Sequence, residues 1–320
     1  MKRILSMMIV LLTALNVQAQ KDIKLTINHL LGTDPFMFNT ETQNDLEHAF
    51  KLTRLEYYIS GISIVHDGGQ ETSAPDVYLL ADAGKMDTFY LGNFDVNTIE
   101  SIIFYVGVHP SVNNGDPALW NPSHPLAPRV PSMHWGWASG YRFVAMEGKC
   151  GASFGQNFEI HALGNKNYFK QSIPVTGSDV NGAFVISLNA DYTKAVSGMD
   201  MQGGFVEHGE DNLAEDCLIL FHSSVFTNLN GDGNILSVNS IEVANAFNIY
   251  PNPSTGTFSL ELTDERFNNA QVTVTNVLGE TVFSADMNSL TQGFEILTKG
   301  MYFITIKSEG LISTEKLIVI

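Results

Sequence analysis

The sequence predicts an all-β protein, with an N-terminal β-sandwich-like domain that carries a long Pro/Trp-rich loop and a small C-terminal β-sandwich. Three observations lead there. Short runs rich in Val, Ile, Tyr and Phe alternate with turn signals between residues 22 and 225, five prolines break that rhythm between residues 111 and 139, and strand-length runs resume after residue 246.

In chain order, residues 1–19, "MKRILSMMIVLLTALNVQA", place Lys2 and Arg3 ahead of an apolar run and end on Val17-Gln18-Ala19. That run is shorter than the roughly 18 residues of a membrane span, so the segment reads as a secretory signal peptide cleaved before Gln20. No other long uncharged apolar run follows, and no membrane span is expected. The segments "IKLTINHLL", "RLEYYISGISIV", "DVYLLAD", "SIIFYVGV", "FVAMEG", "NFEIHALG", "GAFVISLNA" and "CLILFHSSVF" have the length and composition of strands in an antiparallel sandwich or barrel. "ETQNDLEHAF" and "AEDCLILFH" also admit a helix. Prolines at 117, 122, 125, 128 and 131 remove ladder donors, so residues 111–139 form a loop across the sheet, and their large rings favour a packed one. The first domain then spans 20–225. The polar, Gly/Asn-rich stretch at 226–245 reads as a linker, and residues 246–320 form a unit close to the lower size limit for independent folding.

The chain has 17 basic and 34 acidic residues, and loss of Lys2 and Arg3 with the leader leaves 15 against 34, a formal charge of −19. Such a surface repels phosphate backbones and attracts cations, so nucleic acid is not an expected partner. The two cysteines, Cys150 and Cys217, are expected to pair as a disulfide in an oxidising compartment.

Three local patterns bear on chemistry. "GASFG" matches G-x-S-x-G through Gly151, Ser153 and Gly155, but an apparent strand follows where a nucleophile elbow needs a helix, so a turn is expected and no hydrolase. "NLNGDGNILSVN", residues 228–239, follows a calcium loop at Asn228, Asn230, Asp232, Gly233 and Ile235, while Asn239 stands where a bidentate acid belongs; calcium there would be weak. The segment "HPLAPRVPSMHWGWASGYRF", residues 124–143, concentrates histidines, Met133, Trp135 and Trp137. Imidazole suits copper or zinc, and thioether sulfur would favour Cu(I). An extended backbone would put Met133, Trp135 and Trp137 on one face and His134 on the other.

Two resemblances add to this. "LEYYISGISI", "FYVGVHPSVNNGDPALWNPSHPLAP", "MHWGWASGYRFVAMEG" and "FEIHALG" resemble the MbnP-like copper-binding domain, through most of residues 22–225. "IYPNPSTGTF", "NVLGETV", "LTKGMYFITI" and "EKLIVI" resemble the type IX secretion sorting domain of the Bacteroidetes, over residues 246–320. The first implies a β-rich exported copper-binding protein, in some members with a tryptophan oxidised to kynurenine by a partner dihaem peroxidase. The second implies an address read by the type IX machinery, and hence a secreted or outer-surface protein. On this basis His29, His124, His134 and His161 are the expected ligands, although no local spacing selects them, with Trp135 or Trp137 as the oxidised partner. The expected function is copper capture or handling without catalysis; the alternative is a surface module for adhesion or glycan contact, whose histidines are structural.

Overall fold

A computed structural model describes residues 20–85, 88–180, 182–233, 241–243, 246–277, 279–296, 298–308 and 311–320, so the expected leader lies outside the described residues. The N-terminal domain is two sheets around one core. Its first sheet is built on β1 (Lys21–Leu31), which pairs antiparallel with a later strand, Thr88–Phe94, and parallel with Ala183–Asp191. The second is built on β2 (Ala49–His66), an 18-residue strand at the middle of a sheet whose remaining long strands are β3 (Ile99–Val106), β4 (Val144–Cys150), β5 (Gln156–Ala162), β6 (Lys170–Pro174) and β7 (Phe205–Gly209). Their order across the sheet is β6-β3-β2-β4-β5-β7.

The alternation read from the sequence is what closes the sandwich. Ile23, Leu25 and Ile27 of the first sheet and Leu55, Tyr57, Val144, Met146, Phe158 and Ile160 of the second all reach one shared core. Burial of this apolar area is the main favourable term, at roughly 25 cal/mol per Å². The long central strand kinks at Gly61, whose φ is +61°; a Cβ there would lie 2.7 Å from the Tyr105 ring and 2.8 Å from the Tyr168 hydroxyl, so only glycine fits.

In the N-terminal domain two pairings among the described residues depart from the antiparallel expectation: β1 with Ala183–Asp191, and β5 with β7, are parallel. A parallel partner arrives after a long connection, which local patterns do not reveal. "CLILFHSSVF" is not a strand either. Asn212–Leu220 is an α-helix, here α1, that continues into a π-type turn at Phe221–Val225. Ala214, Cys217, Leu218 and Leu220 of α1 join the N-terminal core while Ile219 joins the core of the tail, so the apolar residues of the helix are split between two cores and Glu215 and Asp216 are left to ion pairs. "ETQNDLEHAF" folds as a tight reversal from a short strand at Thr42–Gln43 into β2.

Phe226–Asn228 pairs with Ala183–Asp191 and Phe226 is buried, so the first core extends into the stretch read as linker. The tail is a five-stranded sheet, including Gly300–Ser308 and Leu311–Val319, facing a three-stranded one formed by Phe247–Tyr250, Thr257–Leu262 and Thr291–Glu295. Arg266 of the tail reaches Asp216 of α1 at 2.8 Å. Among the described residues no helix is long and apolar enough to cross a membrane.

Cys150 and Cys217 are free thiols, which corrects the expected disulfide. Each has its own buried environment: Cys150 ends β4 and donates to the Gly203 carbonyl at 3.1 Å, while Cys217 is enclosed within α1's packing face. Calcium at the linker is not supported. The Asn228 side-chain oxygen accepts from the backbone N–H of Asn230 and of Asp232, and its amide donates to the Asp232 carboxylate, so the loop's first ligand is spent on turn formation. Residues 234–240 lie outside the described residues. Ser153 sits in a short turn at Ala152–Phe154 that leads into β5, as its strand context predicts, and no nucleophile elbow forms.

Candidate metal centre

The pattern Glu159-Ile160-His161 puts two polar side chains on one face of β5 while Ile160 enters the core. The parallel register then sets His161 directly opposite His208 of β7. Their rings stack at 4.2 Å with 13° between planes. Glu159, His161 and His208 thereby form a group whose ligand atoms all lie within 4.8 Å of one another. Among the described residues this is the one His/Cys/Asp/Glu group of three or more with such spacing.

The donors are prepared unequally. His161 is 6% exposed, its Nε2 bonds a Glu147 oxygen at 2.9 Å, and its Nδ1 is buried without a partner. Since a carboxylate accepts only, the imidazole proton sits on Nε2 and the lone pair on Nδ1. Burial lowers the His161 pKa, an effect that the Glu147 carboxylate opposes and the nearby Arg142 and His208 reinforce, so the ring is neutral at pH 7. His208 Nε2 lies 3.3 Å from a Glu159 oxygen. A buried, unpartnered imidazole nitrogen beside a second imidazole and a carboxylate fits a borderline transition metal such as copper or zinc.

The Pro/Trp-rich loop roofs this face and is packed rather than loose. Tyr141 donates to the Leu126 carbonyl at 2.7 Å, Tyr58 donates to the Pro125 carbonyl at 3.1 Å, and Met133 is 2% exposed. A tight turn follows, closed by the Trp135 N–H to the Gly140 carbonyl at 2.8 Å. Gly136 at φ +90° breaks the extended run within it. Met133, Trp135 and Trp137 therefore do not share a face: Trp135 stands edge-on to His208 at 4.8 Å and to His161 at 6.1 Å, while Trp137 is 71% exposed. Arg142 lies over the Trp135 ring at 4.9 Å.

The other three expected ligands are placed elsewhere. His29 points between the sheets, bonded to the buried Tyr192, whose hydroxyl meets that of Tyr57 at 3.0 Å. His124 stacks on Trp120 at 4.2 Å and its Nδ1 accepts the Leu126 N–H at 3.1 Å. His134 accepts the Gly136 N–H on Nδ1 at 3.2 Å. A neutral imidazole that accepts on Nδ1 carries its proton on Nε2, so His124 and His134 act as turn caps with no lone pair to spare. Met133 is likewise engaged, its sulfur accepting from Arg54 at 3.4 Å. Neither His208 nor Glu159 is among the ligands expected from the sequence. The usable signal was the alternation in "FEIH", which puts Glu159 and His161 on one face of their strand.

An open cleft of about 690 Å³ borders this face, with Arg54, Glu56, Glu147, Lys85 and Arg129 on its walls.

The fold and site define a two-unit β-sandwich protein with a two-histidine, one-carboxylate cluster on the outer face of its first unit. Residues 20–213 match the family model described as MbnP, more than half of the chain, and the chain belongs to the MbnP family. Residues 248–320 match the secretion system C-terminal sorting domain, which indicates secretion and outer-surface localisation. Neither is a known enzymatic family. Among solved structures, MbnP from Methylosinus trichosporium matches with 16% identity over 59% of this chain and 81% of that one, at a TM-score of 0.41. PorZ, a surface component of the type IX secretion system of Porphyromonas gingivalis, matches with 12% identity over 29% of this chain and 14% of that one, at a TM-score of 0.21. No curated protein matches the chain.

Proposed function

We propose that this protein binds copper at or outside the cell surface, in capture or handling of the ion rather than turnover, and that His161, His208 and Glu159 hold it. The observation that supports this reading is the grouping of His161, His208 and Glu159 with ligand atoms within 4.8 Å of one another, together with a His161 Nδ1 that is buried and unpartnered. Membership of the MbnP family favours copper among the metals that suit imidazole.

Trp135 is the tryptophan in contact with the histidine pair, and so the ring at which a kynurenine would form. Such a change would raise the intact mass by about 4 Da. The dihaem peroxidase implied by the family resemblance finds no support in the comparisons, and copper binding by the unmodified residues does not depend on it.

Copper titration in competition with a chromophoric chelator tests the assignment. His161→Ala and His208→Ala should each weaken binding at least about tenfold, as loss of one of three ligands requires. His29→Ala, His124→Ala and His134→Ala should leave it unchanged. Full affinity in the His161→Ala/His208→Ala double variant would overturn the proposal. The rival reading as a glycan-contact module rests on the exposure of Trp137, and unchanged glycan retention by a Trp137→Ala variant removes it.

A further inference from the structure

The outer face of the second sheet carries more than ligands. Cross-strand register places Arg54 of β2 opposite Glu147 of β4, and Glu147 opposite Glu159 of β5. One Glu147 oxygen, Oε1, accepts from Arg54 Nη1 at 2.7 Å and from His161 Nε2 at 2.9 Å. Arg54 is itself anchored, donating through Nε to Glu56 at 2.7 Å and through Nη2 to the Met133 sulfur at 3.4 Å. Its guanidinium is a planar fork with no acceptor, so three fixed partners leave it one orientation. That orientation aims a carboxylate oxygen at one nitrogen of His161.

We propose that Arg54 and Glu147 are positioning residues that hold His161 in the tautomer with its proton on Nε2 and its lone pair on Nδ1, so that the metal site is assembled before any ion arrives. The metal assignment comes from the preceding reading, but the tautomer is a property of the apoprotein and is testable without metal. Without the relay, the free imidazole would distribute its proton over both nitrogens, and a fraction of the molecules would present an N–H where a ligand is needed. Outer partners of metal-bound histidines contribute about 10- to 100-fold to affinity by this route. The relay also explains why a carboxylate can sit directly opposite Glu159: Arg54 offsets the charge of Glu147.

Long-range ¹H–¹⁵N correlation on the ¹⁵N-labelled apoprotein reads the tautomer directly, and chelator competition with copper reads the affinity. In the wild type His161 should show the Nε2–H form alone. Glu147→Ala should convert it to a mixture and weaken copper about 10- to 100-fold. Glu147→Gln, whose carbonyl oxygen can still accept from both neighbours, should restore the Nε2–H form and most of the affinity. Glu147→Asp keeps the charge but withdraws the oxygen by one methylene, and it should give the mixture again if the alanine variant fails to fold. A single Nε2–H tautomer in folded Glu147→Ala or Glu147→Asp protein would overturn the relay. A wild type with that tautomer and no copper affinity would instead refute the metal assignment and leave the relay standing.

Discussion

Copper should fasten an edge of the sheet, and the size of that effect follows from the placement of the ligands. β7 is five residues long, ends the second sheet, and within it pairs with β5 alone. Such an edge opens more readily than the central strands. Glu159 and His161 lie on β5 and His208 on β7, so a metal held by the three crosses the ladder as a clip. At a free ion concentration of about 100 times Kd, ligand linkage stabilises the folded state by about 2.7 kcal/mol. The family match over residues 20–213 puts the domain in the size class where each kcal/mol raises Tm by about 2–4 °C, so saturation should raise Tm by about 5–11 °C. Differential scanning calorimetry reads that shift, and hydrogen exchange with mass analysis locates it. Peptides covering 156–162 and 205–209 should gain the most protection. A shift that survives in the His161→Ala/His208→Ala double variant, or protection centred on residues 124–141, would refute the reasoning.

His134→Ala should leave copper affinity intact yet cost about 0.5–2 kcal/mol of stability in urea titration, because the Gly136 N–H loses the Nδ1 that caps it. Unfolding the oxidised, unreduced protein should expose two alkylatable thiols by mass, with little labelling of the native state, since burial raises the pKa of both Cys150 and Cys217. Burial pushes the Glu147 carboxyl up, but hydrogen bonds from His161 and Arg54 outweigh it and hold the pKa below the ordinary glutamate value of about 4.5. A carboxyl with a lowered folded-state pKa stabilises above its unfolded pKa. The stability margin of wild type over Glu147→Gln should therefore be full at neutral pH and shrink as pH falls below about 4.5 and through the lower folded value, as followed by acid denaturation.

Much of the architecture was legible because the strands alternate. Ile23, Leu25 and Ile27, or Phe158, Ile160 and Ala162, announce a buried face, and the prolines between 117 and 131 announce the loop. The helix at Asn212–Leu220 was legible only as one of two readings of "AEDCLILFH", because its apolar residues divide between two cores and blur a period of 3.6. Of the three clustered residues only His161 was legible, for a related reason. His161 stood out in a matching segment, but its partner His208 lies 47 positions later and meets it through a parallel pairing that no local pattern encodes. His124 and His134 stood out because histidines beside Pro, Trp and Gly look like ligands. In the folded chain those same neighbours bend the backbone so that each ring caps its own turn.

The stacking of His161 on His208 depends on one register, and a slip of β7 by a single residue would turn His208 to the opposite face and bring Glu207 or Gly209 level with His161. The pair is thus a molecular vernier for the last strand of the sheet. Copper capacity, measured against total protein, would count the molecules in which that strand has zipped correctly, and a preparation that folds compactly but binds below one ion per chain would disclose a misaligned edge that circular dichroism does not distinguish.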